Sequence, residues 1–262
     1  MPDRGGRLLT WGYPGELSRV WGALLLLLLV GCAEQDPARF GRSPRHIEGF
    51  SLPPARIIYI AERHNAPSHH QAQEEIIRSL HQRGRPLAVG MEMIDVTQQR
   101  ALDQYLEKKT SWTAFAQSTD FESGWGKTSA AYKRILKWCR RNAIPVLALN
   151  APRSITRKIA SNQKLTLNEA ALIPKFPEPP GGFEKFQAIM AGHPGSGSVR
   201  RYYEAQRAWD TSMAANILSW LRHHHGTLVV LLGQVHADPQ TGVPWYVAKN
   251  SRVRQIVIYP KE

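Results

Sequence analysis

The sequence predicts an α/β fold with a mostly parallel central sheet flanked by helices, and two patterns support this prediction. Apolar runs of β-forming residues alternate along the chain with segments of helical periodicity. The apolar runs are continuous, which is typical of strands that are covered on both faces. The predicted strands cover residues 56–61, 87–93, 144–149, 227–232 and 255–259.

Helical periodicity fills most of the sequence between these strands. It predicts helices over residues 71–82, 97–108, 112–117 and 129–142. The stretch 152–225 is mainly helical in pattern and is long for a connection between two strands. The sequence therefore predicts a helical cap or insertion between the third and fourth strands.

The first 31 residues have the pattern of a lipoprotein signal peptide. Arginines precede an apolar run over residues 23–30, which is too short to span a bilayer as a helix. The run ends in LLVGCAEQD, where small residues before Cys32 resemble the bacterial lipobox. An ordinary signal peptide or a short buried helix is the alternative. Residues 32–54 predict a flexible tether, and residues 55–262 predict a single α/β domain.

A lipid on Cys32 would anchor the chain to a bacterial membrane, because several acyl chains on one cysteine hold a protein stably. Ala33 follows, which resembles lipoproteins of the outer membrane, so in a Gram-negative cell we expect the domain to face the periplasm. The chain has two cysteines in all. With Cys32 lipidated, Cys139 has no disulfide partner within the chain, and we expect it to be a buried packing residue.

The charge of the chain favours anionic partners. The 262 residues carry a formal net charge of +13. Such a balance suits lipid head groups, nucleic acid or acidic small molecules. The basic residues are spread along the chain, and no basic region has interleaved aromatic residues, so we expect no nucleic-acid partner.

Polar side chains follow four of the predicted strands. A glutamate and a histidine end the first strand, a glutamate lies near the end of the second, and GQVH follows the fourth. Because ligands of open parallel sheets bind beyond the carboxyl ends of the strands, we expect these side chains to meet at one rim. The predicted rim residues are Glu62, His64, Glu92, Asn150, Arg153, Gly233 and His236.

Four of these residues, Glu62, His64, Glu92 and His236, suit two kinds of chemistry. Two imidazoles with carboxylates are a workable ligand set for a divalent metal such as Zn, Mn or Fe. Without metal, the same set can provide acid/base catalysis, with a carboxylate orienting a histidine. The structural alternative is a buried glutamate that forms a salt bridge to an arginine. Convergence from separate strands favours a site.

A second candidate site surrounds the stretch GHPGSGSVRRYYEAQ. His193, Tyr202 and Tyr203 lie in or beside a glycine-rich loop in a basic setting. Tyrosine and histidine both serve as axial ligands of haem iron, and Arg200 and Arg201 suit haem propionates. Packing at the start of a helix is the alternative for the tyrosines.

Five segments of the chain, taken together and in order, carry a family resemblance: IIYIAERHN, LAVGMEM, YKRILKWCRRNAIPVLALNAP, YYEAQRAWDTSMAANI and VVLLGQVHAD. They resemble the ChaN-like family of bacterial haem-binding lipoproteins. The wider group includes Tiki-type proteases, TraB-like proteins and erythromycin esterases. The resemblance runs from about residue 56 to residue 260, which is nearly the whole predicted domain.

The resemblance assigns roles to particular positions. The wider group has G-E-x-H after the first strand, a glutamate after the second and G-x-x-H after a late strand. Here these motifs fall on Glu62 and His64, on Glu92, and on Gly233 with His236. The first glycine of the family is Ala61 here, and a Cβ at that position disfavours a positive φ. Further positions shared with the family are Asn150, Gln206 and Asp210.

The resemblance implies a membrane-anchored haem-binding lipoprotein that serves haem or iron acquisition, with haem as its cofactor. It also implies tyrosine and histidine ligands and a pairing of two protomers on haem binding, and His193, Tyr202 and Tyr203 are the candidate ligands. The rival hypothesis is a hydrolase, esterase-like or protease-like, that uses the four rim residues with or without a divalent metal. A domain with a vestigial rim is a third interpretation.

Overall fold

The structure is a computed structural model of the chain, and it describes residues 54–191 and 198–261 together with the backbone of a strand over Leu8–Trp11 (β1). This strand falls within the predicted signal peptide. The rest of that segment, Cys32, most of the tether and His193 lie outside the described residues. The lipid anchor therefore stays a prediction.

From residue 54 onward the described chain forms five strands of one sheet. The strands are β2 (Ile57–Glu62), β3 (Leu87–Asp95), β4 (Val146–Asn150), β5 (Thr227–Gly233) and β6 (Gln255–Ile258). Their order is β6-β2-β5-β3-β4, with β1 beside β6, and the pairings among these five strands are parallel. The predicted fold class is confirmed, and each of the five predicted strands is present within two residues at either end.

Ten α-helices lie in the described ranges. The predicted long insertion between β4 and β5 contains four of them, and α9 is the longest. The helices are α1 (Pro67–Gln82), α2 (Gln99–Leu106), α3 (Trp112–Ser118), α4 (Phe121–Trp125), α5 (Ser129–Arg141), α6 (Arg153–Ala160), α7 (Leu167–Ala171), α8 (Gly182–Met190), α9 (Val199–His223) and α10 (Val243–Asn250).

Two of these helices, α4 and α10, were not predicted from the sequence. Helix α10 has a proline at its first turn, within a GVP sequence that is typical of a turn. It forms because Tyr246 and Val247 are fully buried against the core. Tertiary packing, rather than local propensity, therefore decides this segment.

The core lies on both faces of the sheet. Every residue of β2 and β5 is buried, as the continuous apolar runs predict. Tyr59, deep in β2, donates a hydrogen bond from its hydroxyl to Gln255 Oε1 at 2.7 Å, so its one polar atom is satisfied. Burying each large apolar side chain contributes roughly 1.5–3 kcal/mol. This packing holds the strand ends in place, and the rim is built on them.

Cys139 lies in the core of the domain. Cys139 is fully buried and free, which confirms its interpretation as a packing residue. Burial raises the pKa of its thiol to about 12.

Among the described residues, no helix has the length and apolar character needed to cross a membrane.

Candidate functional site

The carboxyl ends of the three central strands form the rim. In the parallel pairing of β2 with β5, Glu62 lies opposite Gly233. On the other side of β5, β3 continues beyond its last pairing with β5, that of Met91 with Leu231, and brings Glu92 to the same edge. The expected convergence of side chains from separate strands is therefore what the structure shows.

The first half of the site is built around Glu62, which is 1 % exposed. An ionised carboxylate only accepts hydrogen bonds. Its Oε1 accepts from His64 Nδ1 at 2.6 Å and from the hydroxyl of Tyr132, and its Oε2 accepts from Gln73 Nε2 at 2.5 Å. Burial opposes ionisation, but the hydrogen bond from His64, the nearby imidazole of His70 and the hydrogen bond from Tyr132 prevail and lower the pKa of Glu62 to about 2.

His64 is the most open member of the site. Its side chain is 41 % exposed, and its ring lies 5.2 Å from the ring of Trp125 between centroids. Since Nδ1 donates to Glu62, Nε2 is the atom that is left to act on a ligand. Burial lowers the pKa of His64, but the hydrogen bond to Glu62 and the charge of Glu92 outweigh it, so the pKa is raised.

The second half of the site pairs His236 with Asp210, a residue of α9. His236 Nδ1 donates to Asp210 Oδ1 at 2.6 Å, and Gln206 Nε2 lies 2.8 Å from the same nitrogen. Burial disfavours a charged imidazole, but Glu92 and Asp210 raise the pKa of His236 to about 9. Burial raises the pKa of Asp210 to about 6, against the opposing effect of His236. At neutral pH the pair is therefore an imidazolium and a carboxylate.

Glu92 lies between the two halves. Its Oε2 accepts a hydrogen bond from the backbone N–H of Gly233 at 2.6 Å. Its Oε1 lies 3.4 Å from His236 Nε2 and 3.8 Å from His64 Nε2. These separations are too long for strong direct hydrogen bonds. One carboxylate oxygen and two imidazole nitrogens thus face a common gap.

Two backbone positions support this arrangement. A Cβ on Gly233 would lie 3.1 Å from His64 Nε2 and 3.6 Å from Glu92 Oε2, so a side chain there would crowd the gap. Ala61, the departure from the family motif, lies within β2, is fully buried and does not have a positive φ. The Cβ at this position is therefore compatible with the site.

The other predicted rim residues have smaller roles. Asn150 donates from Nδ2 to the backbone oxygen of Glu92 at 3.0 Å, which fixes the end of β4 against β3. Arg153 is exposed at the start of α6. Within the described residues the charged partners of Glu92 are His64 and His236, so an arginine salt bridge does not explain its burial.

Sequence reasoning missed the supporting layer behind Glu62. His69 and His70, at the start of α1, are only 2 % and 4 % exposed. His70 Nε2 lies 3.6 Å from Glu62 Oε2. With Gln73 these histidines repeat at the helical spacing of the apolar face of α1, and that signal could have shown their burial. For Tyr132, on α5, no sequence signal was available.

The four predicted metal ligands meet at the rim, but His64 is hydrogen-bonded to Glu62 and His236 is hydrogen-bonded to Asp210. In the described part of the chain, no group of three or more His, Cys, Asp or Glu side chains could hold a metal ion. Several of the candidate ligand atoms already form hydrogen bonds. Both oxygens of Glu62 already accept hydrogen bonds, and the Nδ1 atoms of His64 and His236 are turned towards carboxylates.

The candidate haem ligands lie elsewhere, at the start of α9. Tyr203 is 3 % exposed, and its ring packs against Phe183 and Phe186 of α8, so its hydroxyl faces the protein interior. Tyr202 is half-buried. Arg200 already forms an ion pair with Glu178, at 2.9 Å between Nη2 and Oε2. Arg200 and Arg201 are the two predicted propionate partners. Within the described residues Arg201, unlike Arg200, forms no ion pair with a carboxylate, so it is the better candidate.

The fold and the rim together define a class of protein, a parallel α/β domain with imidazole–carboxylate pairs at the carboxyl ends of its strands. The chain belongs to the family described as haem-binding uptake, Tiki superfamily, ChaN, whose family model matches residues 51–247. The predicted family is therefore confirmed.

A solved structure supports the fold. The chain is similar to ChaN of Campylobacter jejuni, which binds haem cofacially, with 17% identity, a TM-score of 0.57, and 78% of this chain and 81% of that chain covered. A mutant of the erythromycin esterase EreC in its open conformation has 14% identity and a TM-score of 0.48, with 78% and 69% covered.

One curated relative is also similar. This is the chloroplastic protein RETICULATA-RELATED 5 of Arabidopsis thaliana, which is 26% identical over 154 residues. The match covers 56% of this chain and 20% of the relative, so the chain spans about a fifth of that protein's length.

Proposed function

We propose that this protein binds haem and serves haem or iron acquisition from a position at a bacterial membrane. The observation that carries the proposal is the match of the ChaN haem-binding family over most of the domain. Cys32 provides the lipid anchor, which in a Gram-negative cell places the domain at the outer membrane, facing the periplasm. Two protomers pair when haem binds.

The start of α9 and the end of α8 offer the chemistry for haem. Tyr202 supplies a phenolate for ferric iron, and Arg201 supplies a cation for a propionate. Ile189, in the last turn of α8, is 44 % exposed and provides apolar surface for the porphyrin face. His193 lies in the adjoining segment, outside the described residues, and is the imidazole candidate.

A haem titration of the purified protein tests this proposal. We expect a saturable shift of the Soret band at micromolar haem. Tyr202→Phe should weaken the shift, whereas the matched change Tyr203→Phe should leave it, because Tyr203 is buried in the packing of α8 against α9. A full titration without any Soret shift would overturn the haem-binding proposal.

Membrane attachment is tested separately from haem. In cells that process lipoproteins, we expect the wild-type chain in the membrane fraction with acyl chains on Cys32, detected by mass spectrometry of the N-terminal peptide. Cys32→Ser should lack the lipid, and Cys139→Ser should retain it. An unmodified Cys32 in membrane-associated protein would contradict the proposed anchor.

A second candidate function is hydrolysis at the rim, and the gap between His64, Glu92 and His236 favours it. In an ester hydrolysis, Glu92 takes a proton from the attacking water, and the water oxygen bonds to the carbonyl carbon. His236, as an imidazolium, donates a hydrogen bond to the carbonyl oxygen. The ester C–O bond then breaks as protonated His64 gives its proton to the leaving alkoxide, and Glu92 returns its proton to His64. The products are an acid and an alcohol.

An esterase screen with matched variants tests this second function. We expect Glu92→Gln to lower kcat by about 10²-fold or more, as is typical for loss of a general base. Lys164→Gln, a change at an exposed residue that is not among the rim residues, should leave the activity unchanged. If no ester is hydrolysed faster by wild type than by Glu92→Gln, the hydrolase candidate fails, and the haem titration of the same samples is unaffected.

A further inference from the structure

The amino-terminal edge of the sheet, opposite the rim, is rich in basic charge. Arginines or histidines stand shortly before each of the strands β2 to β6, and most of them are exposed. The segments that build this edge, 54–61, 76–91, 139–149, 217–232 and 249–261, contain no Asp or Glu. We call this surface the basic edge, and its residues are Arg56, Arg83, Arg85, Arg141, Arg222, His223, His224, His225, Arg252 and Arg254.

Backbone contacts show that the basic edge is continuous. Arg56 N donates to Arg254 O at 3.0 Å, and Arg56 Nη2 donates to His224 O at 2.7 Å. Thr227 N donates to the oxygen of Pro86 at 2.9 Å, which places Arg85 beside the start of β5. With neighbouring strands about 4.8 Å apart, the starts of five strands span about 19 Å, which is the width of a surface that several lipid head groups can contact.

Five arginines of the basic edge have no carboxylate partner within the described residues. None of Arg85, Arg141, Arg222, Arg252 and Arg254 forms an ion pair with a carboxylate there. Basic side chains elsewhere on the domain do form such pairs, with the partners Lys158–Glu169, Lys185–Asp238 and Arg200–Glu178. The basic edge therefore presents a patch of positive charge that these residues leave uncompensated.

The chain enters the domain at this same edge. Arg56 immediately precedes β2, and the six residues of β2 run from the basic edge to Glu62 at the rim. At about 3.3 Å per residue, the two ends of the strand lie about 20 Å apart. A tether from a lipidated Cys32 would therefore bring the basic edge, and not the rim, towards a membrane.

We infer that the basic edge docks on an anionic phospholipid surface and turns the rim away from the membrane. This inference adds to the proposed lipid anchor, which attaches the chain without orienting the domain, and it does not depend on haem binding. Arginine guanidinium groups match the oxygens of lipid phosphates. Each basic side chain close to an anionic surface contributes about fivefold to binding.

Hydrogen exchange of the purified full chain on vesicles tests this inference. The chain is mixed with vesicles of phosphatidylcholine alone and with vesicles that contain phosphatidylglycerol as well, so that an anchor engages both and the basic edge engages only the second. We expect slower exchange in residues 82–86, 223–226 and 251–254 on the anionic vesicles. This protection should vanish in about 1 M salt, where the screening length is about 3 Å.

A pair of charge-reversal variants makes the test specific. Arg85→Glu with Arg254→Glu should shift the docking equilibrium by at least about 25-fold, fivefold for each lost charge, and abolish the protection. The control is Lys127→Glu with Lys175→Glu, two exposed residues outside the basic edge with the same change of charge, and it should retain the protection.

Several results would overturn the inference. One is equal exchange of the three loops on neutral and anionic vesicles. Another is loss of protection in the control pair as complete as in Arg85→Glu with Arg254→Glu. A third is equal or stronger protection of the same loops by a duplex DNA fragment at matched phosphate concentration, because this would identify a nucleic-acid surface instead. Membrane attachment in both kinds of vesicle without loop protection would leave the lipid anchor supported and the docking disproved.

Discussion

The two histidine–carboxylate pairs of the rim have the same chemistry and opposite settings. In each pair a carboxylate accepts a hydrogen bond from Nδ1 at 2.6 Å, and Nε2 faces Glu92. Yet the pKa of Glu62 is lowered to about 2, while the pKa of Asp210 is raised to about 6. The difference lies in the partners. Glu62 is surrounded by donors, whereas for Asp210 burial outweighs the help of His236.

This contrast shows that burial alone does not set the charge of a site. Glu62 and Asp210 are almost equally inaccessible, at 1 % and 3 % exposure. What separates them is the layer of Tyr132, Gln73 and His70 around Glu62, which replaces the hydration that the carboxylate loses on folding. Glu62 therefore stays ionised over most of the pH range, whereas His236 and Asp210 form a pair that can exchange a proton.

The largest effect should come from removing the anion at the centre of those donors. Glu62→Gln leaves buried donors facing an amide and should lower the free energy of unfolding by about 3–5 kcal/mol. Asp210→Asn should cost less, about 1–3 kcal/mol, since His236 can lose its charge. Urea denaturation at pH 7, with circular dichroism to check folding, measures both. A greater loss for Asp210→Asn would reverse the comparison.

The pH dependence of stability should separate the two halves. Because the pKa of folded Glu62 is about 2, below its usual value of 4.5, its contribution is present above pH 4.5 and is lost as pH falls towards 2. At about 1.4 kcal/mol per unit, this loss is on the order of 3 kcal/mol. His236 has a raised pKa of about 9, so its contribution is present below pH 6.5 and is lost as pH rises through 9.

Denaturation curves from pH 3 to pH 10 measure these two limbs. Glu62→Gln should flatten the acid limb and leave the alkaline limb, and His236→Gln should do the reverse. If both variants flatten the same limb, the two halves titrate as one unit and the proposed division of charge is wrong.

A smaller effect is expected from the donor hydroxyl on Glu62. Tyr132→Phe removes a hydrogen bond to a buried anion and should cost about 2 kcal/mol. It should also move the acid limb to higher pH, because Glu62 loses a group that favours its ionised form. The matched control is Tyr105→Phe, equally buried, whose hydroxyl has no hydrogen-bond partner within the described residues, and it should cost less.

The smallest effect should follow a change in the gap itself. In Gly233→Ala the new methyl group would lie 3.1 Å from His64 Nε2, and His64 is exposed enough to move outward. We expect a loss of about 1 kcal/mol and a lower pKa for His64, as it moves away from Glu92. The pKa of His236 should stay unchanged. Histidine resonances followed by NMR across pH 5–10 report both, and a shift of His236 alone would contradict the prediction.

The sequence by itself determined the order of the five strands from residue 54 onward, most of the helices between them, the class of fold and the group of residues at the rim. Continuous apolar runs such as residues 227–232 are typical of strands that are buried on both faces of a sheet. In a parallel sheet the carboxyl ends of the strands lie at one edge. Glu62, His64, Glu92 and His236 could therefore be placed together before any coordinates were known. The five segments of resemblance were also enough to indicate the family.

Only the tertiary structure decided how those residues are partnered. The pairing of His236 with Asp210 joins the turn after β5 to α9, and the support of Glu62 by Tyr132 joins β2 to α5. Such contacts depend on how the helices pack on the sheet, and local periodicity in the sequence does not predict that packing. The same holds for the basic edge, whose arginines are scattered in sequence and are brought to one surface by five parallel strands.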